Sequence, residues 1–159
     1  MSGILYVTGD ATAPQGTPPY LIAHVCSTVG AWGRGFTAAL SAKWDGPERL
    51  YRLWHKTNDW NGKALCLGEV QFVSVSQSVT IANMVAQGGL PSAQNKHPLS
   101  YSGLRFCLAR IGMYAQKHGK MVHMPRIGCG IARGHWQDVE TLIRQELCDK
   151  GVGVTVYDL

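Results

Sequence analysis

Met124-Pro125-Arg126-Ile127-Gly128-Cys129-Gly130-Ile131-Ala132-Arg133-Gly134 follows a short apolar run and precedes a helical pattern. Glycines between a strand and a helix let backbone approach a ligand closely and turn N–H groups towards it. The helix N-terminus adds partial positive charge. That is the chemistry of holding a phosphate. A plain tight turn uses the same residues, so the reading depends on whether the rest of the chain agrees.

On the N-terminal side of this stretch, Met121–Met124 reads as a buried strand. On its C-terminal side, Trp136, Val139, Ile143 and Leu147 mark one face of a helix, with Asp138 and Glu140 near its start, where the dipole favours anions. Further out, Leu104, Cys107, Leu108, Ile111 and Ala115 keep the spacing of an amphipathic helix. Val70–Val75 and Val79–Val85 read as strands, and the polar Ser76-Gln77-Ser78 between them predicts an antiparallel hairpin. Ile4–Thr8, Tyr20–Val25 and Val152–Tyr157 are three more strands, and Pro18-Pro19 excludes a helix just before the second of these. Helical patterns cover residues 33–44, with Phe36, Leu40 and Trp44 at every fourth position, and Pro47–Lys56, where proline suits the first turn. Asn58 to Gly62 is a turn cluster, and Gly88 to Pro98 is a polar loop. Strands alternating with helices around a hairpin predict a mixed sheet covered on both faces. In such α/β folds ligands sit outside the carboxyl ends of the strands. Three glycine-rich loops fall there, at Gly9-Asp10, Gly30 to Gly35 and Gly128 to Gly134.

A chain of 159 residues fits one domain spanning 1–159. No apolar run is long enough to span a bilayer, and Met1 to Tyr6 leads into a strand pattern rather than a signal peptide, so a cytoplasmic protein without a membrane partner is expected. Five scattered cysteines without CxxC pairing fit buried thiols. The net charge of +5 suits an anionic ligand, and the basic residues form no run, so no dedicated nucleic-acid surface is expected. His118, His123 and His135 show no ligand spacing and HExxH is absent, so neither a metal nor a cofactor is expected.

Five further features bear on chemistry. In Gly9-Asp10-Ala11-Thr12, Asp10 could accept from an exocyclic amine beside a backbone donor, or close an Asx-turn. Gly30-Ala31-Trp32-Gly33-Arg34-Gly35-Phe36 could wrap a sugar or phosphate with Arg34 assisting, or serve as a loop and cap. Gln87-Gly88-Gly89 could present Gln87 to a ligand, or form an exit turn. Cys129 sits where a thiol pKa can fall, although a small residue between glycines explains it as well. His24 and Ser27 follow the second strand with no carboxylate nearby in sequence to complete a triad.

With these loops placed, the chain resembles the macrodomain family of ADP-ribose-binding proteins. The subgroup is the one that contains the terminal ADP-ribose protein glycohydrolase and the ADP-ribose-1″-phosphate phosphatase. Tyr6-Val7-Thr8-Gly9-Asp10, Ile22-Ala23-His24, Ser27 with Gly33-x-Gly35, Met124 to Ile131, Trp136, and Val154 to Leu159 carry the resemblance, in order and nearly end to end. It implies a three-layer α/β/α domain with a mixed six-stranded sheet. It also implies that Asp10 binds the adenine amine, with Gly9, Ala11 and Thr12 beside it. Gly33, Arg34, Gly35 and Phe36 would wrap the distal ribose and a phosphate, and Ile127, Gly128, Cys129, Gly130, Ile131 and Ala132 the diphosphate. The Tyr157–Leu159 segment would lie near the adenine, and Gln87 at its strand end joins the expected ligand set on the residue reading given above.

The chain departs from the glycohydrolase pattern in two places. Ile81-Ala82-Asn83-Met84-Val85 offers no lysine nucleophile, and Ala132 stands where that pattern has an Asp. The Asn-Ala-Ala-Asn motif of another hydrolytic branch is also missing. The expected function is therefore hydrolysis of ADP-ribosyl esters on acidic residues without a covalent lysyl intermediate. Ser27 and Arg133 are the candidate catalytic residues, and ADP-ribose and ADP-ribosylated proteins the partners. A non-catalytic reader of ADP-ribose and an ADP-ribose-1″-phosphate phosphatase are the alternatives.

Overall fold

The computed structural model describes residues 3–159. Its strands are β1 (Ile4–Thr8), β2 (Tyr20–Ser27), β3 (Val70–Ser74), β4 (Val79–Gln87), β5 (Met121–Pro125) and β6 (Val154–Asp158). They form one sheet in the order β1-β6-β5-β2-β4-β3. All neighbours pair parallel except β3 and β4, which are antiparallel with Val70 opposite Met84 and Ser74 opposite Thr80. This is the predicted hairpin at the edge of a mixed sheet.

The helices are α1 (Phe36–Lys43), α2 (Gly46–Thr57), α3 (Tyr101–His118) and α4 (Trp136–Glu146). The period-2 alternation of the strands decides which helix packs where. Leu21 and Ala23 of β2 join Ala82, Met84 and Ala86 of β4 in the core that includes Leu104, Leu108, Ile111, Val139 and Ile143 of α3 and α4. The intervening residues face the other way. Ile22 and Ile81 meet Leu40 of α1, while Cys26 and Val85 meet Tyr51 and Trp54 of α2. Two helices thus cover each face, giving the three-layer α/β/α architecture. Each large side chain buried in these layers contributes about 1.5–3 kcal/mol.

Local chemistry sets the helix ends. Ser100 caps α3 by accepting from the Gly103 N–H at 3.0 Å, and Gly119 ends it in the left-handed region. Pro47 lies in the first turn of α2, as expected, and left-handed Asn58 stops it. The pattern over 33–44 yields a shorter helix than predicted. Gly33 and Arg34 donate their N–H groups to Thr37 Oγ1 at 2.9 and 3.1 Å, which folds residues 33–35 into a loop ahead of α1. No helix among the described residues is long and apolar enough to cross a membrane.

Candidate functional site

The carboxyl ends of the five parallel strands open into a cavity of roughly 1050 Å³. Gly9 and Asp10 follow β1, Ser27 ends β2, Gln87 ends β4, Arg126 follows β5 and Tyr157 lies at the end of β6. Antiparallel β3 brings its opposite end here and contributes nothing to the wall. The wall carries four arginines, Arg34, Arg52, Arg126 and Arg133, no lysine, and one side-chain carboxylate, Asp10, among the described residues.

Of the residues predicted to bind a ligand, Gly9, Asp10, Ala11, Arg34, Gly35, Phe36, Gln87, Ile127, Gly128, Gly130, Ile131, Ala132 and Tyr157 line this cavity. Thr12, Gly33 and Cys129 do not. Thr12 is buried and gives its N–H and hydroxyl to Oδ1 of Asp10, each at 2.8 Å. The Asx-turn and the ligand contact proposed for Asp10 are therefore compatible, because its second carboxylate oxygen stays free of these bonds. The two Thr12 bonds hold the Asp10 carboxyl below its usual range. Gly33 has its N–H committed to Thr37. Burial pushes the Cys129 thiol up, which disfavours the thiolate a nucleophile requires.

The loop from Gly128 to Gly134 is closed on its outer side. Arg133 N–H donates to the Gly130 carbonyl at 3.0 Å and Gly134 N–H to the Gly128 carbonyl at 2.7 Å. The N–H groups of residues 128–132 have no backbone acceptor among the described residues. Gly128 adopts φ 72°, which favours glycine, and a Cβ there would lie 2.9 Å from Leu99 Cδ2, so that side chain would have to shift to admit one. The helix that lends its N-terminus to the cavity is α1, whose Phe36 and Thr37 line the wall, rather than the expected α4, which starts two residues beyond Gly134. First-turn N–H groups lack an intrahelical acceptor, so α1 contributes partial positive charge there.

Both predicted catalytic residues line the cavity, but their polar atoms are engaged elsewhere. Ser27 is 3% exposed, its Oγ accepts from Val29 and Ala31 N–H groups at 3.3 and 3.4 Å, and Tyr51 Oη lies 3.2 Å away. Its hydroxyl organises the turn after β2 and has no base beside it. Arg133 sits in the left-handed region with φ 58°, and its guanidinium donates to the Lys96 carbonyl at 3.4 Å. Gln87 Nε2 donates to the Gly89 carbonyl at 2.9 Å, which is the exit-turn role.

His24, Arg52, Arg126, Leu90 and Pro91 also line the cavity and were not among the predicted ligands. His24 is 2% exposed and packs edge-on against Trp32 at 5.3 Å, and burial lowers its pKa to about 4. The period-2 pattern of β2 could have placed it, since Ile22, His24 and Cys26 share a face. Arg126 makes a bidentate pair with Asp158, at 2.6 and 3.0 Å, and lies over the rings of Tyr6 and Trp136. Tyr157 Oη accepts from Gln15 N–H and meets His123 Nδ1, both at 2.8 Å, fixing the ring on the cavity wall.

No family model matches the chain. It is 42% identical to a macrodomain protein of Streptomyces coelicolor, whose structure superposes with a TM-score of 0.87 over 99% of both chains. A protein of unknown function from Bacteroides thetaiotaomicron is 44% identical, with a TM-score of 0.93 over 99% of each. The chain belongs to the macrodomain family. Among curated proteins, it is 32% identical over 165 residues to chromodomain-helicase-DNA-binding protein 1-like of Mus musculus, covering 98% of this chain and spanning only 18% of that relative's length. It is 26% identical over 159 residues to human ADP-ribose glycohydrolase OARD1, covering 99% of this chain and 93% of that protein. It is also 26% identical over 145 residues to an ADP-ribose 1''-phosphate phosphatase of Lodderomyces elongisporus, with 88% and 90% covered.

Proposed function

We propose that the protein binds ADP-ribose in this cavity and hydrolyses ADP-ribosyl esters on acidic side chains of modified proteins. One observation carries the reading. A single side-chain carboxylate, Asp10, stands on a wall that elsewhere offers unpaired backbone donors from residues 128–132 and the start of α1, among the described residues. A ligand with an amine-bearing base at one end and a diphosphate beyond it matches that distribution of donors and acceptors. Two relatives aligned over most of their length are an ADP-ribose glycohydrolase and an ADP-ribose 1''-phosphate phosphatase, which supports the same ligand.

For the reaction, an ester is the substrate such a wall suits. Water adds to C1″, the bond from C1″ to the ester oxygen breaks, and a carboxylate leaves with its charge already stabilised in water. The proton of the attacking water passes to a ligand phosphate oxygen or to solvent. With no lysine on the wall, no covalent lysyl adduct forms. Catalysis then rests on holding the water and on fixed donors facing developing charge. Serine- and arginine-linked ADP-ribose, whose leaving groups need an acid, should turn over little.

A reader that binds without turnover is favoured by the engagement of Ser27 Oγ and the Arg133 guanidinium with the protein's own backbone. Incubation with glutamate-linked ADP-ribosylated protein separates the two. Free ADP-ribose accumulates if the hydrolase reading holds, and tight ADP-ribose binding with complete inertness establishes the reader. A parallel incubation with ADP-ribose-1″-phosphate tests phosphate release. An ADP-ribosyl adduct trapped on a lysine would overturn the mechanism.

A further inference from the structure

The Asp10 turn is tied to the far end of α1. Lys43, in the last turn of that helix, donates from Nζ to the Thr12 carbonyl oxygen at 2.6 Å. Thr12 in turn fills Oδ1 of Asp10 with two bonds, and the Ala13 N–H closes the turn onto the Asp10 carbonyl at 2.9 Å. Thr12 is 2% exposed, so without the ammonium its carbonyl would be a poorly solvated acceptor. A charged donor makes this bond stronger than a neutral one would. The Trp44 ring holds the ammonium from a second side, with Nζ 5.7 Å from its centroid. The helix itself is anchored through Leu40 against Ile22 and Ile81. The chain of contacts therefore runs from the sheet, through Lys43 and Thr12, to the one side-chain carboxylate on the cavity wall. Lys43 does not line the cavity.

We propose that Lys43 is a positioning residue that aims the free oxygen of Asp10 at an exocyclic amine, and so sets a preference for an amino-purine over a keto-purine base. The inference rests on the ADP-ribose reading given above. An ionised carboxylate can only accept a hydrogen bond. The amine of adenine donates to it, whereas the oxygen at the same position of hypoxanthine would face its lone pairs. How strongly the cavity separates the two bases depends on how firmly the carboxylate is held. Because Phe36 and Thr37 line the cavity while Lys43 holds the Asp10 turn, α1 braces two parts of the wall about 10 Å apart along its axis.

Calorimetry with ADP-ribose and its inosine analogue tests this on the wild type, Lys43→Met, Lys43→Arg and Thr12→Val. The wild type is expected to bind ADP-ribose about tenfold or more tightly than the analogue. Lys43→Met should bring the preference to within about threefold by weakening ADP-ribose and sparing the analogue, with Lys43→Arg recovering most of it. Thr12→Val removes one bond to Oδ1 and should give an intermediate preference even if Lys43→Met proves unstable. A Lys43→Met protein that keeps the wild-type preference, or weakens both ligands equally, overturns the proposal while leaving the ADP-ribose reading intact. Wild-type protein that binds neither ligand overturns that reading, and the proposal with it.

Discussion

Asn83 fixes the proton of His24 on Nε2. The Asn83 amide gives its protons to the Pro47 carbonyl at 3.2 Å and to Gln71 Oε1 at 3.0 Å, so its Oδ1 accepts from the His24 ring 2.5 Å away. Gln71 passes the connection on to the Leu50 carbonyl at 3.0 Å, which docks α2 against β3 and β4. Nδ1 of His24 is left as a bare acceptor in the interior without a partner among the described residues. Protonating it would place a charge in the interior with no acceptor for the new proton among the described residues.

Stability should therefore fall with acid. Burial lowers the pKa of both His24 and His123 from 6.5 to about 4. The unfolded chain takes up these protons first, so stability is full above pH 6.5, declines from there towards pH 4, and is not changed further by these groups below it. Each histidine accounts for on the order of 3 kcal/mol across that window. Urea midpoints should drop between pH 7.5 and 5.0, with a shallower slope in a His123→Leu variant. A flat profile would show that these imidazoles are solvated.

Asp10→Ala should weaken ADP-ribose about tenfold to a hundredfold, the loss of a charge-assisted bond of about 1.5–3 kcal/mol. Calorimetry on a variant with an unchanged melting curve decides it. Wild-type affinity would leave Asp10 with the Asx-turn alone.

Two glycines of one loop should behave differently. A Cβ on Gly134 would lie 2.3 Å from Leu99 Cδ2 and 2.6 Å from the Gly128 carbonyl oxygen, and the backbone there is held by its own hydrogen bond. Gly134→Ala should cost about 1–3 kcal/mol of stability. A Cβ on Gly130 meets nothing within 4 Å, and Gly130→Ala should stay within about 0.5 kcal/mol of wild type. Equal melting temperatures for the two variants would contradict the loop geometry.

Thiol reactivity should single out Cys66. It is exposed, whereas Cys26, Cys107 and Cys148 are buried and Cys129 is half-buried, and burial pushes the Cys107 thiol up to about 12, Cys26 well above its usual value and Cys129 upward. Native protein at pH 8 should show one fast reaction with dithionitrobenzoate, abolished by Cys66→Ser. The buried thiols should react only on unfolding. A fast phase that survives the substitution would show that half-buried Cys129 reacts as an exposed thiol.

The strands, the hairpin and the three glycine-rich loops were legible because period-2 alternation and turn residues act locally. Ile22 and Ile81, for example, each fall in an apolar run that reads as a strand, and the structure pairs them on one face. What escaped depends on which partner a polar atom finds at long range. Ser27 reads as a cavity hydroxyl until the turn after β2 and Tyr51, 24 residues away, claim it. Gly33 reads as a ligand donor until Thr37 takes its N–H. Arg52 reaches the wall only because α2 packs beside the loop after β2, where its guanidinium meets the Gly30 carbonyl at 3.2 Å. Lys43 carries no local signal, since its acceptor lies 31 residues earlier in the chain.

The parallel pairing of β1 with β6 also decides where the protein can be labelled. Ile4 lies opposite Val154 and Thr8 opposite Asp158, so both strands run towards the cavity, and fully exposed Leu159 lines its rim. A purification tag fused after Leu159 would issue beside the ligand and compete for its space. The start of β1, at Ile4, lies at the opposite end of the sheet. A dye at the carboxyl end, by the same geometry, becomes an optical reporter of cavity occupancy.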